Sequence, residues 1–275
     1  MYCAPHIKSS NDGVESGCLD RKALLRLIES LKNKYGLSFH YTQSESRTSL
    51  WQKLRDAMSD VCGSGTDGQT EICWVKRAGD STQDVFEEYY KPTKPNGKRS
   101  WLKTSDIKKV LKQYEKVFSD FIFLGAVPID FNDYITEIIK IDLCDMARRG
   151  ITRIGCVFNM DPHHEKGSHW VCMYLDCQKK YVGYFDSYGK CPPPKEILFL
   201  MTKLSNQSNS CTKYGKLQLK CNNVRHQYKD TECGMYCIYL IYMCLIGHNF
   251  DDICNTKIDD DKVNELRDYF FRPLH

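Results

Sequence analysis

Four residues in the second half of the chain have the types and the order that nucleophilic catalysis requires: His169, Asp186, Gln227 and Cys233. A thiol is an effective nucleophile near neutral pH only when a neighbouring group holds it as the thiolate. A histidine can take the thiol proton, a carboxylate can orient that histidine, and an amide N–H can stabilise the oxyanion that forms. Together the four residues predict covalent acyl transfer with Cys233 as the nucleophile.

The local sequence supports the roles predicted for the thiol and the amide. Cys233 begins an apolar run that predicts a helix, and the free N–H groups and dipole at a helix start favour a thiolate. Gly234 would let the backbone approach a substrate carbonyl closely. Gln227 is the predicted oxyanion donor, with the backbone N–H of Cys233 as the second donor. Burial of the thiol would oppose its ionisation, so the prediction requires Cys233 to be exposed in a cleft.

His169 is the predicted general base, and Asp186 is the predicted acceptor of its other N–H group. The chain contains 8 histidines in all, and His163 and His164 in the preceding polar loop are expected to face water or to border the cleft. Asp176 is the rival carboxylate. It lies so soon after His169 that a hairpin turn is the better interpretation there, so Asp186 is preferred.

These segments resemble the Ulp/SUMO-protease type of cysteine protease. The signature of that family is a His-Trp pair, an Asp after a short strand, and a Gln separated by five residues from a Cys-Gly pair. The matching positions in this chain are His169-Trp170, Asp186, Gln227 and Cys233-Gly234. The likeness covers roughly residues 100–275, and it is similar to the polyprotein-processing proteases of African swine fever virus and related large DNA viruses.

The resemblance implies an α+β fold with a papain-like core of the Ulp type, in which a mixed β-sheet is flanked by helices. It also implies that Trp170 packs near the active-site histidine and that Trp170 and Gly234 contact the substrate. A narrow cleft roofed by Trp170 would select small side chains by excluding larger ones. No cofactor and no metal are expected, although a structural zinc site assembled from distant cysteines and histidines stays an open alternative.

The function implied by the resemblance is that of a cysteine endopeptidase with a Cys-His-Asp triad. It would process viral polyprotein, core or capsid precursors after small residues, at Gly-Gly-X-like sites, during virion maturation. The expected location is therefore the host cytoplasm, at viral assembly sites, and the virion. Two alternatives stay open: a deSUMOylase or deubiquitinase that cuts the Gly-Gly tails of ubiquitin-like proteins, and a catalytically silent assembly scaffold.

The order of the predicted elements supports the same α+β architecture, because strands precede the helices in the catalytic half. The predicted strands are 153–158, 169–175, 181–185 and 217–224, and the predicted helices are 104–118, 195–203, 235–246 and 260–271. Two further apolar segments, 121–125 and 126–131, are expected to pack into the core and to be extended, respectively.

Residues 1–90 are predicted to form a smaller, mainly helical region, and residues 91–275 the protease core. Helical spacing of apolar residues predicts helices at 19–34 and 49–61, with Asp20 as the first N-cap and Gly36 as its stop. The region is either a plain helical appendage or an arm that positions substrate or docks a scaffold. The turn-rich segment 91–99 is the predicted boundary.

The net charge of +4 is too small to indicate a dedicated nucleic-acid-binding protein, although the four positive charges in 91–99 permit a weak nucleic-acid contact. No run of 18 apolar residues occurs, so no membrane partner is expected. The 15 cysteines include no Cys-x-x-Cys pair, and the first residues have no signal-peptide pattern. The cysteines are therefore expected to be thiols in a reducing compartment, mostly as small buried side chains.

Overall fold

The chain folds into two compact units. The computed structural model describes residues 2–7, 17–65, 68–79 and 82–273. One unit runs to Thr93 and also includes Phe271–Pro273, and the other is Lys94–Phe270. The transition at Thr93 falls inside the predicted boundary segment. These units differ from the predicted limits of 1–90 and 91–275 because residues 91–93 and Phe271–Pro273 belong to the first unit.

The described part of the first unit is helical. Asp20 caps the first helix by accepting the N–H of Ala23, and Gly36 ends it with φ of 62°. The unit contains α1 (Arg21–Tyr35), α2 (Arg47–Ala57), α3 (Ser59–Cys62), α4 (Gly68–Ala78) and α5 (Gln83–Tyr89). The first three match the two predicted helical segments, and α4 and α5 were not predicted.

The described residues of the second unit form one mixed sheet of five strands whose order in space is their order in the chain. The strands are β1 (Phe121–Pro128), β2 (Arg153–Asn159), β3 (Trp170–Asp176), β4 (Tyr181–Phe185) and β5 (Gln218–Cys221). The β1–β2 and β4–β5 pairs are parallel, and the two central pairs are antiparallel. Strands β3 and β4 are buried along their whole length because both faces of the sheet are covered.

Helices cover both faces of this sheet. They are α6 (Thr104–Tyr114), α7 (Phe131–Tyr134), α8 (Thr136–Ile139), α9 (Leu143–Arg148), α10 (Lys195–Cys211), α11 (Cys233–Leu245), α12 (Phe250–Asn255), α13 (Asp260–Glu265) and α14 (Arg267–Phe270). Helix α11 packs on β3, and α6 packs on β1. The predicted α+β fold is therefore confirmed. Within the described ranges, none of the helices combines the length and the apolar character needed to cross a membrane.

Two elements differ from the predictions for local reasons. The segments 121–125 and 126–131 were treated separately, but most of this stretch is the single strand β1. Its register with β2 shifts between Phe123 and Ala126, where Gly125 has φ of 144°. A bulge of this kind interrupts the alternation of side chains without ending the strand. The predicted last helix is divided at Leu266 into α13 and α14.

Eight of the 15 cysteines are joined in disulfides, so the expectation that all are thiols is wrong for these eight. The bonds are Cys3–Cys18, Cys62–Cys73, Cys144–Cys211 and Cys191–Cys221. The partners are separated by between 11 and 67 residues, and they meet only when the helices and strands are packed. The remaining seven cysteines are buried thiols, as expected for the six of them other than Cys233.

Candidate active site

Cys233 is the first residue of α11, the helix that packs on β3. Its side chain is 1% exposed, so the prediction that it is exposed in a cleft is wrong for this structure. Burial raises the pKa of the Cys233 thiol to about 11, and the backbone N–H groups of Trp170, Gly234 and Cys233 itself oppose that rise. The thiol is therefore neutral near pH 7, and its reaction as a nucleophile requires a base.

His169 lies immediately before β3. It directly precedes Trp170, whose backbone N–H contacts the Cys233 thiol. Its Nε2 atom is 2.7 Å from Oδ1 of Asp186, at the end of β4. Because a carboxylate accepts hydrogen bonds only, Nε2 carries the proton in the neutral imidazole. Nδ1 is then the nitrogen available to take a proton from the thiol. The structure thus brings together the predicted base and the predicted carboxylate.

Asp186 is fixed by more contacts than its pair with His169. The backbone N–H of Tyr188 donates to the same Oδ1 atom, at 2.8 Å. The side chain of Asn222 accepts the N–H of Asp186 and donates to its carbonyl oxygen, both at 2.8 Å, and also donates to the carbonyl of Val224 at 3.0 Å. Asn222 is buried, and it was not identified from the sequence, because 36 residues separate it from Asp186.

Replacing Asn222 with leucine is expected to lower kcat about tenfold with little change in KM, because the Asp186 backbone would lose both partners and the carboxylate its fixed place. The unpaired buried groups would also lower the free energy of unfolding by about 1–3 kcal/mol. Steady-state kinetics and urea unfolding would measure the two effects. The matched control is Asn223→Leu at the exposed neighbouring position. Equal kinetics for the two variants would show that Asn222 does not position the carboxylate.

Gln227 is fully buried, and its amide is held in one orientation. Its Oε1 accepts the hydroxyl of Ser187 at 2.6 Å, and its Nε2 donates to the carbonyl of Lys229 at 2.7 Å. The backbone N–H of Gln227 also donates to the carbonyl of Ser187. An amide nitrogen has two hydrogens, so one N–H remains without a partner among the described residues. The predicted oxyanion role would use that N–H, and the role stays a prediction.

Trp170 and Gly234 both contact the segment before α6. The indole N–H of Trp170 donates to the carbonyl of Leu102 at 3.0 Å. A Cβ atom on Gly234 would lie 3.1 Å from Cβ of Leu102 and 3.4 Å from Ile107. The glycine therefore allows the start of α11 to pack closely on these side chains, which the sequence did not reveal. The substrate contacts expected of both residues stay predictions.

The rival residues have other partners in the structure. Asp176 ends β3 and accepts the backbone N–H of Lys179, as expected for a hairpin turn. His226 is buried, and its Nε2 lies 2.9 Å from the carbonyl of Cys254. Burial lowers the pKa of His226, so this histidine is neutral and structural.

One group of potential metal ligands occurs among the described residues. Asp130, His163 and His164 present ligand atoms that lie within 4.8 Å of one another, and both histidines are exposed. The carboxylate of Asp130 already accepts the backbone N–H of His163 at 3.0 Å and lies 2.7 Å from its Nδ1. These hydrogen bonds account for the cluster, and the expectation of no metal stays a prediction.

The charges of the basic boundary segment are partly paired with carboxylates of the second unit. Lys94 lies 2.6 Å from Asp268. Arg99 binds the fully buried carboxylate of Glu232, the residue before Cys233, at 2.8 Å, and it also contacts Asp261. This pairing compensates the buried charge of Glu232 and weakens the positive field on which a nucleic-acid contact of the segment would depend.

Comparison with known proteins shows what the catalytic half of the chain is similar to. Residues 158–274 match the Ulp1 protease family, C-terminal catalytic domain. A protein of Acanthamoeba polyphaga mimivirus that is named as a thiol protease is 27% identical over 264 residues, covering 91% of this chain and 85% of the mimivirus protein. The cysteine protease of African swine fever virus is 23% identical over 214 residues, covering 72% of this chain and 78% of that protein.

A solved structure agrees with these matches. The crystal structure of the African swine fever virus protease has a TM-score of 0.68 and 22% identity, and the alignment covers 100% of this chain and 96% of the viral one. That likeness shows a shared fold. The family match over residues 158–274 and the thiol-protease relatives show that this protein is a cysteine protease, and that this part of the chain is similar to the Ulp1-family catalytic domain.

Proposed function

We propose that the protein is an endopeptidase that cuts viral structural precursors after small residues, at Gly-Gly-X-like sites, during virion maturation. One observation carries the catalytic part of the proposal. His169 forms a hydrogen bond of 2.7 Å with Asp186, and it directly precedes Trp170, whose backbone N–H contacts the Cys233 thiol at the start of α11. The viral origin of the two relatives that are named as thiol and cysteine proteases supports a viral substrate.

In the proposed reaction, Nδ1 of His169 takes the proton of the Cys233 thiol as the sulfur attacks the scissile carbonyl carbon. The imidazolium that forms is stabilised by the carboxylate of Asp186 through its Nε2–H group. The negative charge on the substrate oxygen is met by the second N–H of Gln227 and the backbone N–H of Cys233.

The C–N bond then breaks, and Nδ1–H of His169 protonates the leaving amine. The product of this half-reaction is a thioester between Cys233 and the N-terminal part of the substrate. A water molecule then gives a proton to the same nitrogen as its oxygen attacks the thioester carbon. The C–S bond breaks, the N-terminal part leaves as a carboxylic acid, and Nδ1–H of His169 returns the proton to the sulfur of Cys233. The buried thiol, with its pKa of about 11, makes both halves dependent on His169.

A second candidate substrate is the Gly-Gly tail of a ubiquitin-like protein. Some of the African swine fever virus relatives, at 23% identity, are named SUMO-1 cysteine proteases. Both candidates require a cleft that admits glycine and excludes larger side chains. The two are therefore distinguished mainly by the protein that contains the cut bond, a viral precursor or a ubiquitin-like protein.

The test is a set of fluorogenic peptides that share flanking residues and differ at the two central positions, Gly-Gly or Val-Val, together with SUMO-1 carrying a C-terminal extension. We expect cleavage after Gly-Gly, and we expect the cleavage rate after Val-Val to be lower by roughly tenfold or more. A Gly-Gly vinyl sulfone should label Cys233 alone, as seen by intact mass and peptide mapping, and the Cys233→Ala variant should be inactive. Cleavage of the SUMO-1 extension but not of the peptides would favour the second candidate, and labelling of other thiols at the same rate would contradict both.

The proposed substrate also sets a proposed location, at the assembly sites in the host cytoplasm and inside the virion. A protease that trims precursors after assembly has to be enclosed with them. Immunodetection of the protein in purified virions, together with cut precursors, is the expected result. Its confinement to soluble host fractions would contradict the location.

A further inference from the structure

Two tyrosines and three cations alternate along the surface next to the catalytic histidine. In order they are Lys190, Tyr188, Arg225, Tyr228 and Lys257, which we call the cation–tyrosine ladder. Lys190 and Arg225 lie 5.7 and 5.4 Å from the ring centre of Tyr188, and Arg225 and Lys257 lie 4.6 and 4.1 Å from that of Tyr228. Each distance is within the range of a cation–π contact.

The ladder begins at the catalytic site itself. The ring of Tyr188 is stacked on the imidazole of His169, with centroids 4.4 Å apart and an interplanar angle of 16°. Arg225 donates through Nε to the carbonyl of Gln227 at 2.8 Å. Gly189 has φ of 71°, and a Cβ atom there would lie 2.7 Å from the backbone of Val224. This close approach holds the turn that carries Tyr188 against the segment that carries Arg225.

The three cations of the ladder are exposed, and none is ion-paired with a carboxylate of the described residues. Neighbouring cations differ in this respect, since Lys229 lies 2.8 Å from Asp261. Burial raises the pKa of Tyr188, and the nearby carboxylates of Asp230 and Asp186 contribute to that rise, so these two carboxylates oppose the charge of the ladder. The ladder therefore presents positive charge that no internal ion pair compensates.

We propose that the ladder binds acidic side chains of the substrate polypeptide, on one side of the scissile bond. The proposal rests on the proposed endopeptidase function and specifies its substrate. Its arginine and two lysines are held at fixed places by the tyrosine rings, so a carboxylate would meet donors that have already lost part of their side-chain freedom. A polypeptide is favoured over nucleic acid because the ladder starts at the imidazole, where the scissile bond must lie.

The binding test uses the Cys233→Ala protein, so it does not depend on cleavage. Fluorescein-labelled peptides with a Gly-Gly-Ala centre carry three glutamates or three glutamines, on one side of the centre or the other. At low salt we expect the glutamate peptide of one side to bind about three- to tenfold more tightly than its glutamine counterpart, as a few exposed charge pairs can provide. The difference should shrink in 0.5 M NaCl because the charges are screened.

Charge-removing variants then locate the effect. Arg225→Gln combined with Lys257→Gln should reduce the glutamate preference to less than twofold, while Arg225→Lys should keep most of it. The matched control is Lys213→Gln, because Lys213 also lies over a tyrosine ring, that of Tyr214 at 5.4 Å, outside the ladder. The control should keep the full preference.

Three results would overturn the proposal. The first is equal affinity for glutamate and glutamine peptides on both sides, and the second is an unchanged glutamate preference in the double variant. The third is binding of an oligo-dT strand that is weakened in the double variant while peptide binding stays unchanged. The last result would assign the ladder to nucleic acid. The wild-type protein, tested on the same peptides, separates the two proposals. Cleavage without a glutamate preference contradicts the ladder alone, and glutamate-dependent binding without any cleavage contradicts the endopeptidase.

Discussion

Replacing His169 with alanine is expected to reduce kcat/KM for peptide hydrolysis by about 10⁴-fold or more, and Cys233→Ala should cost at least as much. At pH 7.5 a thiol with a pKa of about 11 is ionised in roughly one molecule in 3,000. Removing the base therefore leaves almost no nucleophile, and it also removes the acid that protonates the leaving amine. Because the two residues act as a unit, the double variant should be no slower than the worse single one.

The rate at which iodoacetamide alkylates Cys233, followed by mass spectrometry between pH 6 and pH 11.5, measures the activation step without a substrate. In the His169→Ala variant the rate should keep rising towards pH 11, whereas the wild type should react faster near neutral pH. His164→Ala is the control, since this histidine is exposed in the loop before the site, and it should retain wild-type kinetics. Equal alkylation at pH 7.5 in the wild type and His169→Ala would refute the role of His169 as base.

The elements that carry the candidate catalytic residues were predictable because they depend on short segments. The run after Cys233 is apolar and predicted a helix, and α11 begins at that residue. The strand before Asp186 was predicted at 181–185 and is found there. Strand length, turn residues and helix starts are properties of neighbouring residues, which a single sequence records.

The parts that were not predictable depend on contacts between distant segments. Asn222 meets Asp186 across 36 residues, and Ser187 orients the Gln227 amide across 40. An asparagine after a strand has many ordinary functions in a turn, so its type gave no signal. Burial of Cys233 was missed for the same reason, because the side chains that cover a helix start are set by packing.

The second large effect on activity is expected from replacing the carboxylate of Asp186. We expect Asp186→Ala to lower kcat/KM by about 10³-fold or more and Asp186→Asn by about 10- to 100-fold. In the Asp186→Asn variant the new amide is expected to turn its oxygen towards His169, because the backbone N–H of Tyr188 donates to the atom at that place. The variant would thus keep the orientation of the imidazole and lose only the negative charge that stabilises the imidazolium.

The matched control is Asp176→Asn, which changes the rival carboxylate in the same way. Asp176 is buried at the end of β3, and its partner is the backbone N–H of Lys179. An asparagine oxygen can accept that hydrogen bond, so kcat/KM should stay within about twofold of the wild type. If the two Asp→Asn variants lose activity equally, the loss comes from general damage to the fold and the assignment of Asp186 fails. If Asp186→Asn loses as much as Asp186→Ala, the charge accounts for the whole effect, and the orienting role of the Tyr188 N–H is wrong.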